Sequence, residues 1–337
     1  MNIEKINLHL FEDLQKTDTA TLSVEMKTFY DTALIRLAKA KLVHDQFGKK
    51  QKIPKNRGKK IEWRTFTSLP KATTPITEGV TPDGSKIDAS AIEATVAQYG
   101  DFIKYSDLLS MTTIDPIVSE YAYALSNQAG LTKDTLTRNE LITGTNVIYA
   151  DKVSDTGTVT PVSARADLDG TAKLSVKTLY KAAAVLKAQN TPTINGSYVA
   201  IIHPYAKNDL MADAKDNWID IAKYGEHIKD VIEGEVGKIG NIRIVESSEA
   251  KVYAKGQNSC PNSIFCTLVL GDGAYGTVDL EGGGLEMIVK QLGAGDDPLN
   301  QRATIGWKMT HVAKILVQQY MVRIESCSSQ FPDVAAN

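Results

Sequence analysis

Gly271-Asp272-Gly273-Ala274-Tyr275-Gly276 is the stretch of this sequence whose residue types and spacing come nearest to a known chemistry. Glycines spaced GxGxxG after an apolar run can let a backbone approach a dinucleotide pyrophosphate, provided a helix begins there and aims its N-terminus at the charge. The residues from Thr277 onward instead alternate like a strand and then meet Gly282-Gly283-Gly284. The fingerprint therefore lacks its context, and the spacing predicts a turn between strands. A nucleotide-binding enzyme is the alternative that rests on this string alone.

Other reactive side chains do not gather in the sequence. His9, His44, His203, His227 and His311 are scattered, and none has a second ligand at a spacing such as HExxH. Cys260, Cys266 and Cys327 form no CxxC pair, and an odd number in a chain without a secretory signal reads as free, buried thiols. No GxSxG elbow or P-loop is present. Asp279 with Glu281, and Asp296 with Asp297, are paired carboxylates of the kind that solvated turns carry, with no partner base nearby in sequence. The expectation is no catalytic residue, no cofactor and no metal.

The remaining chemistry is electrostatic. Lys49, Lys50, Lys52, Lys55, Arg57, Lys59, Lys60 and Arg64 face a single acid, Glu62, within one short run. Such a run can neutralise phosphates, but the whole chain of 337 residues has a net charge of −2, which supplies no matching basic surface elsewhere. The turn signal Asn56-Arg57-Gly58, followed by Ile61 and Trp63 alternating with Glu62 and Arg64, makes the run a β-ribbon that faces solvent or a partner. Sequence-independent phosphate binding is the alternative. The connector Leu69 to Ser85 carries Pro70, Pro75, Pro82, Gly79 and Gly84, and reads as the tip of a projecting hairpin. A two-stranded ribbon is marginal in water, so its own subunit or another chain must cover it.

The elements that position these groups follow from periodicity and caps. Hydrophobic content of 42% with 23% charge is that of a globular protein, and length points to about two domains. The N-terminus has no signal-peptide core and no run approaches a membrane span. Residues 1–21 read as a loose arm. Leu22, Met26, Phe29, Ala33, Leu34, Leu37 and Ala38 give a helix ending near Val43, laid either on the core or on a neighbouring subunit. Lys86 to Ser106 is a second extended segment with Ile92, Ala94 and Val96 on one face. Asp115-Pro116 starts a helix of ~40 Å that runs to about Thr143, its face carried by Ile117, Tyr121, Ala124, Leu125, Gln128, Leu131 and Leu136. After a turn-rich stretch, Ser175 caps a helix holding Leu179, Ala182, Ala183 and Leu186.

Tyr198 to Ile202 is a strand covered on both faces. His203-Pro204 switches the chain into helical segments with Leu210, Met211, Trp218, Ile219 and Ala222 inward, ended by Gly234, Gly237 and Gly240. Asn241 to Glu246 returns as a strand. Lys251 to Asn262 reads as a loop, Ser263 to Leu270, Thr277 to Leu280 and Leu285 to Lys290 as strands. Arg302 to Lys314 and Leu316 to Glu325 are long closing strands.

The order of strand, His-Pro, acidic helix with Trp218, and GEVGKIGNIRIVES resembles the axial domain of tailed-phage major capsid proteins of the Hong Kong 97 fold. FGKKQKIPKNRGKKIEWRTF, LPKATTPITEGVTPDG, TVAQYGDFIKYSD and PLNQRATIGWK resemble the branch named after coliphage N-four, and together these stretches cover most of residues 24 to 325. The resemblance implies an α+β fold with an N-terminal arm and helix (1–45), an extended β-hairpin loop (46–106), a peripheral domain with a long spine helix (107–195 and 300–327), and an axial domain (196–299).

It also implies a non-enzymatic major capsid protein that self-assembles into hexamers and pentamers of an icosahedral shell around double-stranded DNA. An encapsulin-like compartment is the alternative within the same fold. The expected partners are copies of the same chain, a separate scaffold protein, a portal protein and non-specifically contacted DNA, with no membrane; the expected place is the virion capsid, assembled in the host cytoplasm. The residues expected at subunit interfaces are Lys59, Lys60, Trp63, Ile76, Glu78, Val80, Pro82 and Arg302. No position matches the lysine and asparagine that weld subunits in some members, so no covalent crosslink is expected.

Overall fold

The computed structural model describes residues 43–337, apart from 67–68, 70, 76–77, 80–83, 113–116, 155, 215–218, 221–231, 233, 257–259, 294–296 and 329. The expected arm and first helix, the Asp115-Pro116 cap, Trp218 and Ala222 lie outside the described residues. The chain forms two compact units. One contains Gln98–Gly130 and Gly283–Met309; the other contains Leu42–Ala97, Leu131–Gly282 and Thr310–Asn337.

The larger unit is organised by an eight-stranded mixed sheet. Its strand order is Val147–Tyr149, Met321–Cys327, Ile264–Leu270, Tyr198–Ile202, Ile242–Glu246, Glu235–Ile239 and Ile219–Asp220, with Val252–Tyr253 added beside Ile264–Leu270. All five residues of Tyr198–Ile202 and all seven of Ile264–Leu270 are buried. Such continuous apolar runs are stable only when both faces are covered. On one face lies the helix Val176–Ala188, whose Leu179, Ala182, Ala183 and Leu186 are buried and whose Ser175 accepts from Thr178 N at 3.2 Å, as the cap signal predicts. The helix Pro204–Ala214 follows the His203-Pro204 switch and adds Ala206 and Leu210 to the same core.

Two expectations around this sheet change. Glu235–Ile239 is a strand rather than a glycine-rich helix end: it pairs antiparallel with Ile242–Glu246, with a register shift between Glu235 and Gly237. Ile219–Asp220 is likewise a strand, paired with Gly237 and Lys238, and not part of an inward helical face. The sheet also joins Val147–Tyr149 and Met321–Cys327, from segments expected in the peripheral domain, to strands from the expected axial segment.

The helix Ile117–Ile142 has 26 residues, matching the expected length, but its buried face differs. Leu131 is 37% exposed, whereas Ser126, Asp134, Thr137 and Arg138 are buried. In the larger unit Asp134, Thr137 and Arg138 meet partners, because an unpaired buried polar group is costly. Asp134 accepts from His44 N at 2.8 Å and lies 2.6 Å from His44 Nδ1. Thr137 Oγ1 is 3.0 Å from His311 Nε2, and His311 Nδ1 is 3.0 Å from Asp279. Lys133 bridges Asp45 at 3.2 Å and Asp279 at 3.7 Å. Asp279 is thus no solvated turn residue. Burial pushes its carboxyl up, but His311 and Lys133 outweigh that and hold it below the ordinary carboxylate range.

This polar cluster fixes the turn at 43–48, and Tyr275 clamps it by donating its hydroxyl to His44 O. The strand Lys49–Ile53 then leaves the turn in parallel with Gly276–Leu280. The basic run is therefore not one hairpin. Lys49–Ile53 pairs with a strand more than two hundred residues away, while Lys60–Phe66 pairs antiparallel with Ala89–Thr95.

In the smaller unit, Glu286–Lys290 pairs antiparallel with Thr304–Lys308, and the strand Ala97–Ser106 pairs on the same long strand, Arg302–Ile315. Gly100 and Gly306 permit this approach: a Cβ on Gly100 would lie 2.6 Å from Trp307 O, and one on Gly306 would lie 2.7 Å from Phe102 Cβ. A short helix, Asp107–Thr112, follows where no local signal predicts one.

Candidate subunit interface

The ribbon Lys60–Phe66 and Ala89–Thr95 is built by alternation. Ile61, Trp63 and Thr65 face one way and are buried or half-buried; Glu62, Arg64 and Phe66 face the other and are exposed. Trp63 is 9% exposed and packs with Ala94 and Val96 against Ile53 and Val278. Across the ladder it sits opposite Ile92. Trp63 therefore holds the base of the ribbon to its own subunit, and its apolar surface is already spent there.

The glycines of the GDGAYG string serve the same packing. A Cβ on Gly276 would come 3.0 Å from the Trp63 ring, one on Gly271 would come 2.2 Å from Thr191 Cγ2, and Gly273 has φ of 70°. They provide a ring seat, a close approach and a turn. Tyr275–Leu280 follows as a strand, where the dinucleotide fingerprint needs a helix.

The eight cations of the basic run are all exposed. Arg64 is 2.7 Å from Glu62, and this hydrogen bond raises the guanidinium pKa. Lys60 is 3.8 Å from Glu93, and Lys50 is 3.5 Å from Asp45. Glu62 and Glu93 stand directly opposite each other, an unfavourable pairing that Lys60 and Arg64 offset. Asn56 and Gly58 take φ of 64° and 81° in the turn that carries Lys55 to Lys59.

Beyond Thr65 the ribbon is uncovered. Every described residue from 69 to 91 is exposed, Glu78 among them; Ile76, Val80 and Pro82 lie outside the described residues. Phe66 is 71%, Leu69 50% and Ile87 57% exposed. The interface expectation did not include these three. Phe66 carried a usable signal, because it is an apolar residue on the parity of Glu62 and Arg64, where the binary pattern calls for a polar one.

Arg302 belongs to the smaller unit. It is exposed, and its main-chain N donates to Asp297 at 2.6 Å. With Asp101, Phe102, Lys104 and Lys290 it lines a surface groove of about 490 Å³. Asp101 is held below its ordinary pKa by hydrogen bonds from Gln128 and from Phe102 N. Leu108, Met111 and Leu299 of this unit are also exposed, at 66%, 77% and 73%.

Two acids of the helix Pro204–Ala214 are engaged within the subunit. Asp209 is buried, and Asp213 accepts from Val176 N at 2.8 Å at the start of its helix. Among the described residues no group of three or more His, Cys, Asp or Glu side chains is arranged to hold a metal ion.

Comparison with solved structures gives the same fold in phage capsids. The capsid of cyanophage P-SCSP1u is similar with a TM-score of 0.60 and 18% identity, over 86% of this chain and 89% of that one. The capsid of Ralstonia phage GP4 gives a TM-score of 0.64 and 15% identity, over 87% and 90%. A virus-like particle from Pyrococcus furiosus gives 0.50 and 12%, over 89% and 100%. No curated protein matches the chain. The family model for phage capsid protein matches residues 89–324, well over half of the sequence, and the chain belongs to the phage capsid protein family.

Proposed function

We propose that this capsid subunit assembles through hexamers and pentamers into an icosahedral shell enclosing the double-stranded DNA of a tailed phage, with the ribbon lying on a neighbouring copy. The observation that carries the ribbon's role is the run of exposed residues from 69 to 91, together with Phe66, Leu69 and Ile87. A two-stranded ribbon anchored at its base by one indole gains little from its own subunit. Covering those three side chains is worth ~1.5–3 kcal/mol each, repeated at every copy of the contact. The Hong Kong 97 fold and the branch named after coliphage N-four are supported by the stretches that carry the resemblance. The division at 46–106, 107–195 with 300–327, and 196–299 follows the same resemblance.

The basic run then serves contacts between copies before it serves DNA. Lys59→Glu with Lys60→Glu is expected to impair shell formation in the absence of DNA; assembly of normal empty particles that fail only in packaging would assign the run to nucleic acid. A separate scaffold, a portal and assembly in the host cytoplasm complete the reading.

Electron microscopy of the purified protein tests it directly. Closed shells of uniform size are expected. Discrete small oligomers under all assembly conditions would defeat it. The likeness to the Pyrococcus furiosus particle favours a second reading, a cellular shell with another cargo. The contents decide between them: DNA in particles from infected cells supports the first, a cargo protein bound to the inner wall the second.

A further inference from the structure

Cys260 and Cys327 lie with their sulfurs 4.0 Å apart in a buried pocket formed with Leu168, Ala172 and Ile264. Cys327 ends the strand Met321–Cys327 and stands opposite Ile264, the first residue of its partner strand. The main-chain N of Cys327 donates to Ala172 O at 2.8 Å, so this side of the pair is fixed. Cys260 lies on the loop leading into Ile264, where its thiol donates to Leu168 O at 3.3 Å.

We propose that Cys260 and Cys327 are an oxidisable pair that closes to a disulfide in an oxidising medium, stapling the loop to the open end of the central two-strand ladder. The inference is independent of the shell reading. Sulfurs at 4.0 Å need to approach to about 2.05 Å, a closure of about 2 Å. Cys266 is a contrasting thiol on the adjoining strand: it is fully buried, and burial pushes it up to about 12.

The chemistry balances with oxidised glutathione as the oxidant. When local opening exposes the buried Cys260 thiol, it loses its proton to solvent and its thiolate attacks one sulfur of glutathione disulfide, breaking that S–S bond and releasing one glutathione. The Cys327 thiolate then attacks the Cys260 sulfur of the mixed disulfide and releases the second glutathione. Two cysteine thiols are oxidised and one glutathione disulfide is reduced to two thiols. Burial, the neighbouring Cys260 sulfur and Asp169 hold the Cys327 thiol well above its ordinary pKa, so its thiolate is scarce and closure is slow. Because the reactive form is the thiolate, the rate should rise about tenfold from pH 7 to pH 8. In a medium where glutathione is mostly reduced, the pair stays as thiols.

The test incubates the full chain with oxidised or reduced glutathione at pH 8, followed by non-reducing peptide mapping and thermal melting. The expected product is the Cys260 peptide joined to the Cys327 peptide, two hydrogens lighter than the separate thiols, with the midpoint raised by roughly 5 °C. Cys266→Ala should behave like the natural chain, and Cys260→Ala should lose both the joined peptide and the shift. A disulfide to Cys266, glutathione retained on Cys260 without pairing, or no joined peptide after prolonged oxidation overturns the proposal. If Cys260→Ala fails to fold, the map of the natural chain decides alone.

Discussion

Tyr198–Ile202 and Lys60–Phe66 are both short strands of the larger compact unit, yet one is buried at all five positions and the other fully at one. The first lies between two strands in a sheet covered by helices; the second has one partner strand and an indole anchor. The first is hydrogen-bonded to a strand along both edges and the second along one, and the two differ further in apolar burial. The sheet completes its own core, while the ribbon carries apolar side chains with nothing of the described subunit over them. The subunit is thus self-sufficient where its chemistry is apolar on both faces, and unfinished where a polar face is broken by residues such as Phe66.

The sharpest test compares ion pairs from the two regions. Glu325 is fully buried between Arg165, at 2.5 Å, and Arg323, at 2.9 Å. Glu325→Ala would leave two cations short of their carboxylate and should cost ~3–5 kcal/mol in urea unfolding. Glu62→Ala removes the exposed Arg64 partner and should cost ~0–1 kcal/mol. Equal costs would break the distinction between the regions.

Apolar truncation should follow the same division. Leu270 is fully buried, and Leu270→Ala should cost ~2–5 kcal/mol with an unchanged m-value. Phe66→Ala should leave the isolated subunit within ~0.5 kcal/mol while reducing assembly in sedimentation velocity. A large loss of subunit stability in Phe66→Ala would place the phenylalanine in the core after all.

The sheet should also carry a pH dependence that the ribbon lacks. Burial lowers His203 to about 4, against the opposing pull of Glu246, and its Nδ1 accepts from Tyr205 N at 3.2 Å as a helix cap. The unfolded chain takes up a proton near pH 6.5 that the folded chain refuses until about pH 4. Stability should therefore fall as pH drops through that window, by an amount on the order of 3 kcal/mol, and level off below it. His203→Asn keeps a cap acceptor and should flatten the slope at a cost of ~1 kcal/mol. An unchanged slope in that variant would assign the pH dependence to other groups.

The smallest effect on the subunit is expected from replacing Thr73 to Gly84 by a short Gly-Ser bridge. The described residues of that segment are exposed, so cooperative melting by circular dichroism should persist within a few degrees while stable shells are lost. Loss of cooperative melting would make the tip part of the core, and normal particles would make it dispensable.

Elements whose causes lie within a few residues were legible in the sequence. The strand at Tyr198–Ile202, the Ser175 cap, the His203-Pro204 switch, the length of Ile117–Ile142 and the turn at Gly271 each follow from a local run, a capping oxygen, a proline or a failed helix context. Along Lys60–Phe66 the alternation also placed Trp63 opposite the charged face, although it could not say whether its own subunit or a neighbour would cover the ring.

Tertiary structure decided what depends on partners far along the chain. The parallel pairing of Lys49–Ile53 with Gly276–Leu280 has no local signal, because a strand's partner is chosen by the burial available when the whole sheet forms. The long helix turns Asp134, Thr137 and Arg138 inward because His44, His311 and Glu249 supply their partners, and a hydrophobic pattern reads such residues as outward. Cys260 and Cys327 are separated in sequence and meet only because the ladder Ile264–Leu270 with Met321–Cys327 brings its end to the loop. Local chemistry sets which conformations each segment prefers; only the packed chain sets which polar groups are paired and which apolar ones are left for a neighbour.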